Sequence, residues 1–159
     1  MTFRERAIAA TIVLAGMCAS ALATEEKLTL DKVPAKVVAA EKAKWPKAQI
    51  VGIAREEDNG KTIFEFELKE GSRKWDASFG ADGALLLVEE TIAEKDVPAA
   101  VKKALDAKHP KATVTLVEKV TEGDGPSAKI FYEYQIKTAD KAFEVKFDPA
   151  GKLVSEEEK

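Results

Sequence analysis

The sequence predicts an α+β fold made of two tandem repeats, each a helix followed by a four-stranded antiparallel sheet. Three observations carry that expectation. One phrase occurs twice, Val33-Pro34 leading to Trp45-Pro46-Lys47-Ala48 and Val97-Pro98 leading to His109-Pro110-Lys111-Ala112, at a constant offset of 64 residues. After each copy, apolar and polar residues alternate with the period of strands that bury one face. Turn residues separate those runs at matching places in both halves.

The first helix is expected over 34–44. Proline suits the first helical position, where its missing N–H would have no partner anyway. Val33, Val37 and Ala40 share one stripe, with Lys36 and Lys42 elsewhere. Trp45-Pro46 ends the helix, because the residue before proline is driven out of the α region. A first strand covers 48–57, and Asp58-Asn59-Gly60-Lys61 is a tight turn. In the second strand Phe64, Phe66 and Leu68 alternate with Glu65 and Glu67. The third places Trp75, Ala77 and Phe79 inward and Asp76 and Ser78 outward, and the fourth covers 85–90.

The second half repeats that order. Val97, Val101, Ala104 and Leu105 line its helix, and His109-Pro110 stops it. Glu122 to Ser127 is a longer loop than its counterpart, and beyond it the offset becomes 68: Phe64-Glu65-Phe66 matches Tyr132-Glu133-Tyr134, and Trp75 to Phe79 matches Phe143 to Phe147. The added residues are thus confined to one hairpin loop, where insertion costs least. A unit of this size has a marginal core by itself, so the repeats 24–92 and 93–159 are expected to pack together.

Residues 1–23 read as a cleaved signal peptide: Arg4 and Arg6 precede the apolar run from Ala7 to Cys18, and Ala21-Leu22-Ala23 is the cleavage site. Met17 before Cys18 is too large for a lipid-attachment signal. Cleavage removes the single cysteine and takes the net charge from −3 to −4. That mild, evenly spread acidity argues against nucleic acid as a partner. No later apolar run is long enough to insert in a membrane. A periplasmic or secreted location follows.

The order Val97-Pro98, His109-Pro110, Tyr132-Glu133-Tyr134 and Phe147-Asp148-Pro149-Ala150-Gly151 resembles the PepSY-like, beta-lactamase-inhibitor-like family across nearly the whole chain after the leader. The first copy departs from it, since Phe79-Gly80-Ala81-Asp82-Gly83 shifts the acid. The resemblance implies helices backing one side of a sheet whose other side can be a concave protein-binding surface. It implies no catalytic residues.

Candidate chemistry is sparse. His109 is the single histidine and occupies the place of Trp45, a position for a ring beneath a helix end. Neither Asp58-Asn59-Gly60 nor Glu122-Gly123-Asp124-Gly125 has the spaced oxygen ligands and closing glutamate of a calcium loop. No Ser/His/Asp arrangement, phosphate loop or metal spacing is present, so no catalytic residue, cofactor or metal is assigned. Glu65, Glu67, Asp76, Glu133 and Glu144 are expected on a solvated open face, near lysines such as Lys74 and Lys146.

The reading is an exported, non-catalytic module that binds an envelope or secreted protein, as an inhibitor or regulator. It would use Phe131, Glu133, Gln135, Glu144, Lys146, Glu65, Glu67 and Asp76, with Ser78 beside them and 122–127 at the edge. Phe131 stands out of phase with Tyr132 and Tyr134 and is the aromatic expected to face outward there. The alternative is a small-ligand or signal sensor with an apolar pocket between helix and sheet, or between the repeats.

Overall fold

A computed structural model describes residues 26–58 and 60–159, so the leader reading lies outside the described residues. The chain runs β1 (Glu26–Lys27), α1 (Ala35–Lys44), β2 (Gln49–Asp58), β3 (Lys61–Glu70), β4 (Arg73–Gly80) and β5 (Leu85–Thr91), then α2 (Ala99–Lys108), β6 (Thr113–Glu122), β7 (Lys129–Lys137), β8 (Ala142–Phe147) and β9 (Leu153–Glu158). Each repeat is therefore a helix and a four-stranded meander, as expected. The meanders are not separate sheets. β5 pairs with β6 from Leu87↔Glu122 to Thr91↔Glu118, which makes one antiparallel sheet of nine strands in sequence order. The stretch before α1 is more than a polar lead-in, since β1 adds an edge to β2 and Leu28 packs against the core.

Both helices lie on the same face. Side chains directly opposite on paired strands share a face. That parity puts Phe66, Ala77 and Val88 on the side of α1 and Val117, Tyr134 and Val145 on the side of α2. Phe64, Phe66, Leu68, Trp75 and Phe79 bury beneath α1 with Val33 and Val37. Tyr134, Ile136, Val145 and Phe147 bury beneath α2 with Val97, Val101 and Leu105. Pro34 and Pro98 stand one position earlier than expected, at the N-caps; the Pro34 carbonyl accepts from the Val37 and Val38 amides.

Two details tie helix to sheet. The turns Gly80–Gly83 and Asp148–Gly151 reach up to the helices. A Cβ on Gly83 would stand 3.0 Å from the Lys36 carbonyl oxygen, and one on Gly151 would stand 2.6 Å from that of Ala100. The expected ring position beneath each helix end is also filled: Trp45 lies 5.7 Å from Trp75, and His109 lies 5.2 Å from Phe143. The His109 Nε2 is 3.3 Å from Glu156 Oε1. The lone histidine is thus built into a packed helix end.

Helix α1 carries one residue that breaks the apolar pattern. Glu41 is buried where the second repeat has Leu105, and burial pushes its carboxyl above the ordinary range. Glu41→Leu is expected to raise stability by ~1–2 kcal/mol, since it removes a desolvated acid and restores the stripe. Urea unfolding at pH 7 checks this, and a lower midpoint would show that Glu41 has a stabilising partner.

Candidate functional site

With both helices on one face, the opposite face carries side chains from strands alone among the described residues. Its centre consists of cross-strand rows. In one, Glu67, Asp76, Glu89, Val120 and Phe131 stand opposite one another from β3 to β7. In the next, Thr91, Glu118, Glu133, Lys146 and Ser155 run from β5 to β9. On the other side of the first row lie Ala54, Glu65, Ser78 and Leu87.

The structure corrects the expectation of a solvated face at its centre, while Glu67 is exposed as expected. Glu65 and Glu133 are each 8 % exposed, Glu89 is 7 % exposed, and Val120 is fully covered. Leu87 and Val120 belong to neither helix-side core. On a face built by strands alone, neighbouring long side chains cover these residues and desolvate one another along a central groove.

Electrostatics follow from that burial. Glu89 is pushed up to about 8, chiefly by desolvation and then by the charges of Glu133, Glu118 and Glu65, against a smaller pull from Lys146. Desolvation also raises Glu133, while Lys146, with Nζ 3.2 Å from Glu133 Oε2, pulls it back. Lys159 pairs with Glu144 at 2.9 Å, at the β8 end of the groove.

The anticipated residues do come together. Glu65, Glu67, Asp76, Phe131, Glu133, Gln135, Glu144 and Lys146 share the face by register. Phe131 is half-buried beside Val120 rather than protruding. The loop 122–127 is occupied otherwise: Asp124 pairs with Lys44 of α1 and caps Gly125. Lys44 and the Gly125 amide hold the Asp124 carboxyl below its usual range. Lys74 lies opposite Lys69 near the β3–β4 hairpin, on the same face as Asp76 two residues along β4.

Glu89, Leu87 and Val120 escaped the sequence reading. β5 reads Leu85-Leu86-Leu87-Val88-Glu89-Glu90, without the alternation that marks two faces. Glu90 takes the helix side, opposite Trp75, and forms a two-pronged pair with Arg73 at 2.6 and 2.9 Å. Nothing local distinguishes it from Glu89.

Among the described residues, no group of three histidine, cysteine, aspartate or glutamate side chains converges to hold a metal ion. Among the described residues, a shallow hollow runs along α1, lined by Leu30, Asp31, Val33, Val38, Ala39 and Lys42. It does not lie between helix and sheet or between the repeats, where a sensor pocket was expected.

One nine-stranded antiparallel meander, backed on one side by two equivalent helices and open on the other, defines the class: a tandem α+β protein of beta-lactamase-inhibitor-like architecture. The chain belongs to the family described as "Putative beta-lactamase-inhibitor-like, PepSY-like", which it matches over residues 22–87 and 62–155. It is similar to the structure of a "putative periplasmic" protein from Bacteroides eggerthii, at 22% identity and a TM-score of 0.64, covering 79% of this chain and 88% of that one. A DUF2874 family protein from Bacteroides uniformis gives 21% identity and 0.64 over 79% of this chain and 89% of that one. A BLIP-like protein from Bacteroides fragilis gives 19% and 0.59 over 77% and 84%. At these identities the likeness concerns the fold. No curated protein matches the chain.

Proposed function

We infer that this is an exported, non-catalytic protein-binding module that acts in the periplasm or outside the cell. The observation that carries this reading is the groove opposite the helices: its centre combines an apolar strip, Leu87, Val120 and Phe131, with carboxylates on either side. Burying apolar surface drives association, and a polar surround fixes its register. The likeness to a BLIP-like protein and to "putative periplasmic" proteins supports both the role and the location. Inhibition or regulation of an envelope or secreted enzyme is the form of binding that the family description favours.

The test is affinity capture from the native envelope extract, with the intact protein compared against Phe131→Ala/Glu133→Lys. Capture of one protein by the native form and its loss from the double variant is expected. Equal capture by both forms, with the variant still folded, would remove the groove from the binding surface.

A further inference from the structure

β1, β5 and β9 are equivalent segments of the repeat. Glu26 and Glu90 are 64 residues apart and Glu90 and Glu158 are 68 apart, which are the two offsets of the duplication. The outer edge of β5 is taken by β6, with Glu90 opposite Lys119. At β1 the same edge is taken by β2, with Glu26 opposite Arg55 and their side chains paired at 2.8 Å. The chain then continues alike: the Leu28 amide donates to the Ile53 carbonyl at 2.9 Å, and the Ile92 amide to that of Val117 at 3.0 Å. β9 ends the sheet, so the third glutamate, Glu158, has no strand on its outer side among the described residues. Glu158 pairs with Lys141 at 2.7 Å, just as Glu90 pairs with the equivalent Arg73 while standing opposite Lys119. The backbone of β9 is equally prepared. In an antiparallel strand the N–H and C=O of alternate residues point to opposite sides. The Leu86 carbonyl accepts from the Gly123 amide at 2.8 Å, so Leu86, Val88 and Glu90 turn toward β6. Their equivalents Val154, Glu156 and Glu158 therefore turn outward, while the Lys159 amide donates back to Ala142 on the β8 side. Leu153 and Val154 are exposed, whereas their equivalents Leu85 and Leu86 are half-buried.

We propose that the outer edge of β9 receives an extended segment of a partner protein as a tenth, antiparallel strand, with a lysine or arginine opposite Glu158 and uncharged residues opposite Glu156 and Glu157. The surface is separate from the groove and adds a second contact to the protein-binding reading. Continuity with the β5–β6 junction supplies the register, and the glutamate–cation pair that the chain makes twice supplies the charge. β6 shows the chemistry that fits. In its register on β5, shifted to β9, Thr121, Val120, Lys119 and Glu118 would face Glu156, Glu157, Glu158 and Lys159. Opposite charges directly across a strand pair stabilise it. Adding a strand to an open sheet edge is a recurring mode of peptide recognition, in which the main chain gives affinity and the side chains select. A second copy has no free strand of this kind to offer: its β6 is held between β5 and β7, and β1 already stands on its β2. β2 would also set Glu57 against Glu156. Glutamates along an edge deter acidic strands of that sort, so the edge is selective.

The probe is a fluorescein-labelled peptide with the sequence of residues 113–123, titrated with the intact protein at pH 7 and low salt by anisotropy. Saturable binding is expected, weakened about fivefold by Glu158→Lys and restored when the peptide carries Lys119→Glu. Glu158 is exposed, so the variant should fold as the native protein does. Hydrogen exchange at the Val154, Glu156 and Glu158 amides should slow on saturation, while that of Lys159, turned to β8, should not change. No saturable binding would overturn the proposal. Equal affinity for native protein and Glu158→Lys would also overturn it, because the peptide would then lie elsewhere on the sheet. Self-association of the native protein that Glu158→Lys abolishes would overturn it in favour of a second copy at the edge. If Phe131→Ala/Glu133→Lys abolishes capture of a protein partner while the peptide fails to bind, the groove reading stands and only the edge proposal fails.

Discussion

Gly151→Ala should destabilise the protein by about 3–5 kcal/mol, whereas Gly71→Ala should cost only about 1 kcal/mol. Both glycines sit in the left-handed region, at φ +83 and φ +59, so both substitutions pay the backbone penalty of a side chain there. They differ in what the new methyl group meets. At Gly71 nothing lies within 4 Å. At Gly151 the methyl would reach the Ala100 carbonyl at 2.6 Å oxygen and 2.9 Å carbon, which are backbone atoms of α2 and cannot rotate aside. The helix must then lift off the turn, and Val101 and Leu105 lose packing against Tyr134 and Phe147. Gly83→Ala, with 3.0 Å to the Lys36 carbonyl, should fall between the two. Urea midpoints rank the three variants. Equal losses at Gly71 and Gly151 would show that the turn phrase serves backbone conformation alone, not helix docking.

That same glycine marks how far the sequence could be read. Phe-Asp-Pro-Ala-Gly is legible as a turn, because Asp148 accepts from the Ala150 and Lys152 amides and glycine takes the positive φ. Its second duty, making room for a helix that lies many residues earlier in the chain, has no local signal. The strand order was legible for a related reason. Phe64, Phe66 and Leu68 alternate with acids, so period and burial agree there. Fusion of the two meanders was not legible, since β5–β6 pairing is main-chain bonding between segments separated by α2. Glu41 disturbs its helix stripe at the place of Leu105, and only the tertiary setting shows that it is nevertheless buried. The groove is the largest gap. Alternation correctly puts Glu65 and Glu133 on the face away from the helices, but it says nothing about how far the side chains of neighbouring strands cover them there.

Burial of Glu89 makes stability depend on pH, and Glu89→Gln should largely abolish the main component of that dependence. Folding moves Glu89 from an ordinary value of 4.5 to about 8, first through burial and then through Glu133, Glu118 and Glu65, with Lys146 opposing. Asp76 stands directly opposite it on β4, and uncharged Val120 on β6. The folded protein therefore binds more protons than the unfolded chain between those two values, so unfolding releases a proton there. Stability on this account is greatest below pH 4.5, falls as pH rises, and reaches its floor above about pH 8. The loss is on the order of 5 kcal/mol, or roughly 15 °C in Tm. Glu133 and Glu41, also raised, add to the fall, while exposed Asp124, which is lowered, opposes it at the acid end. Glutamine keeps the shape of protonated Glu89 without the charge. Glu89→Gln should match the native protein near pH 4.5 and exceed it at pH 9, with the two melting curves diverging across the interval. Parallel curves at every pH would mean that Glu89 ionises as easily in the folded groove as in water.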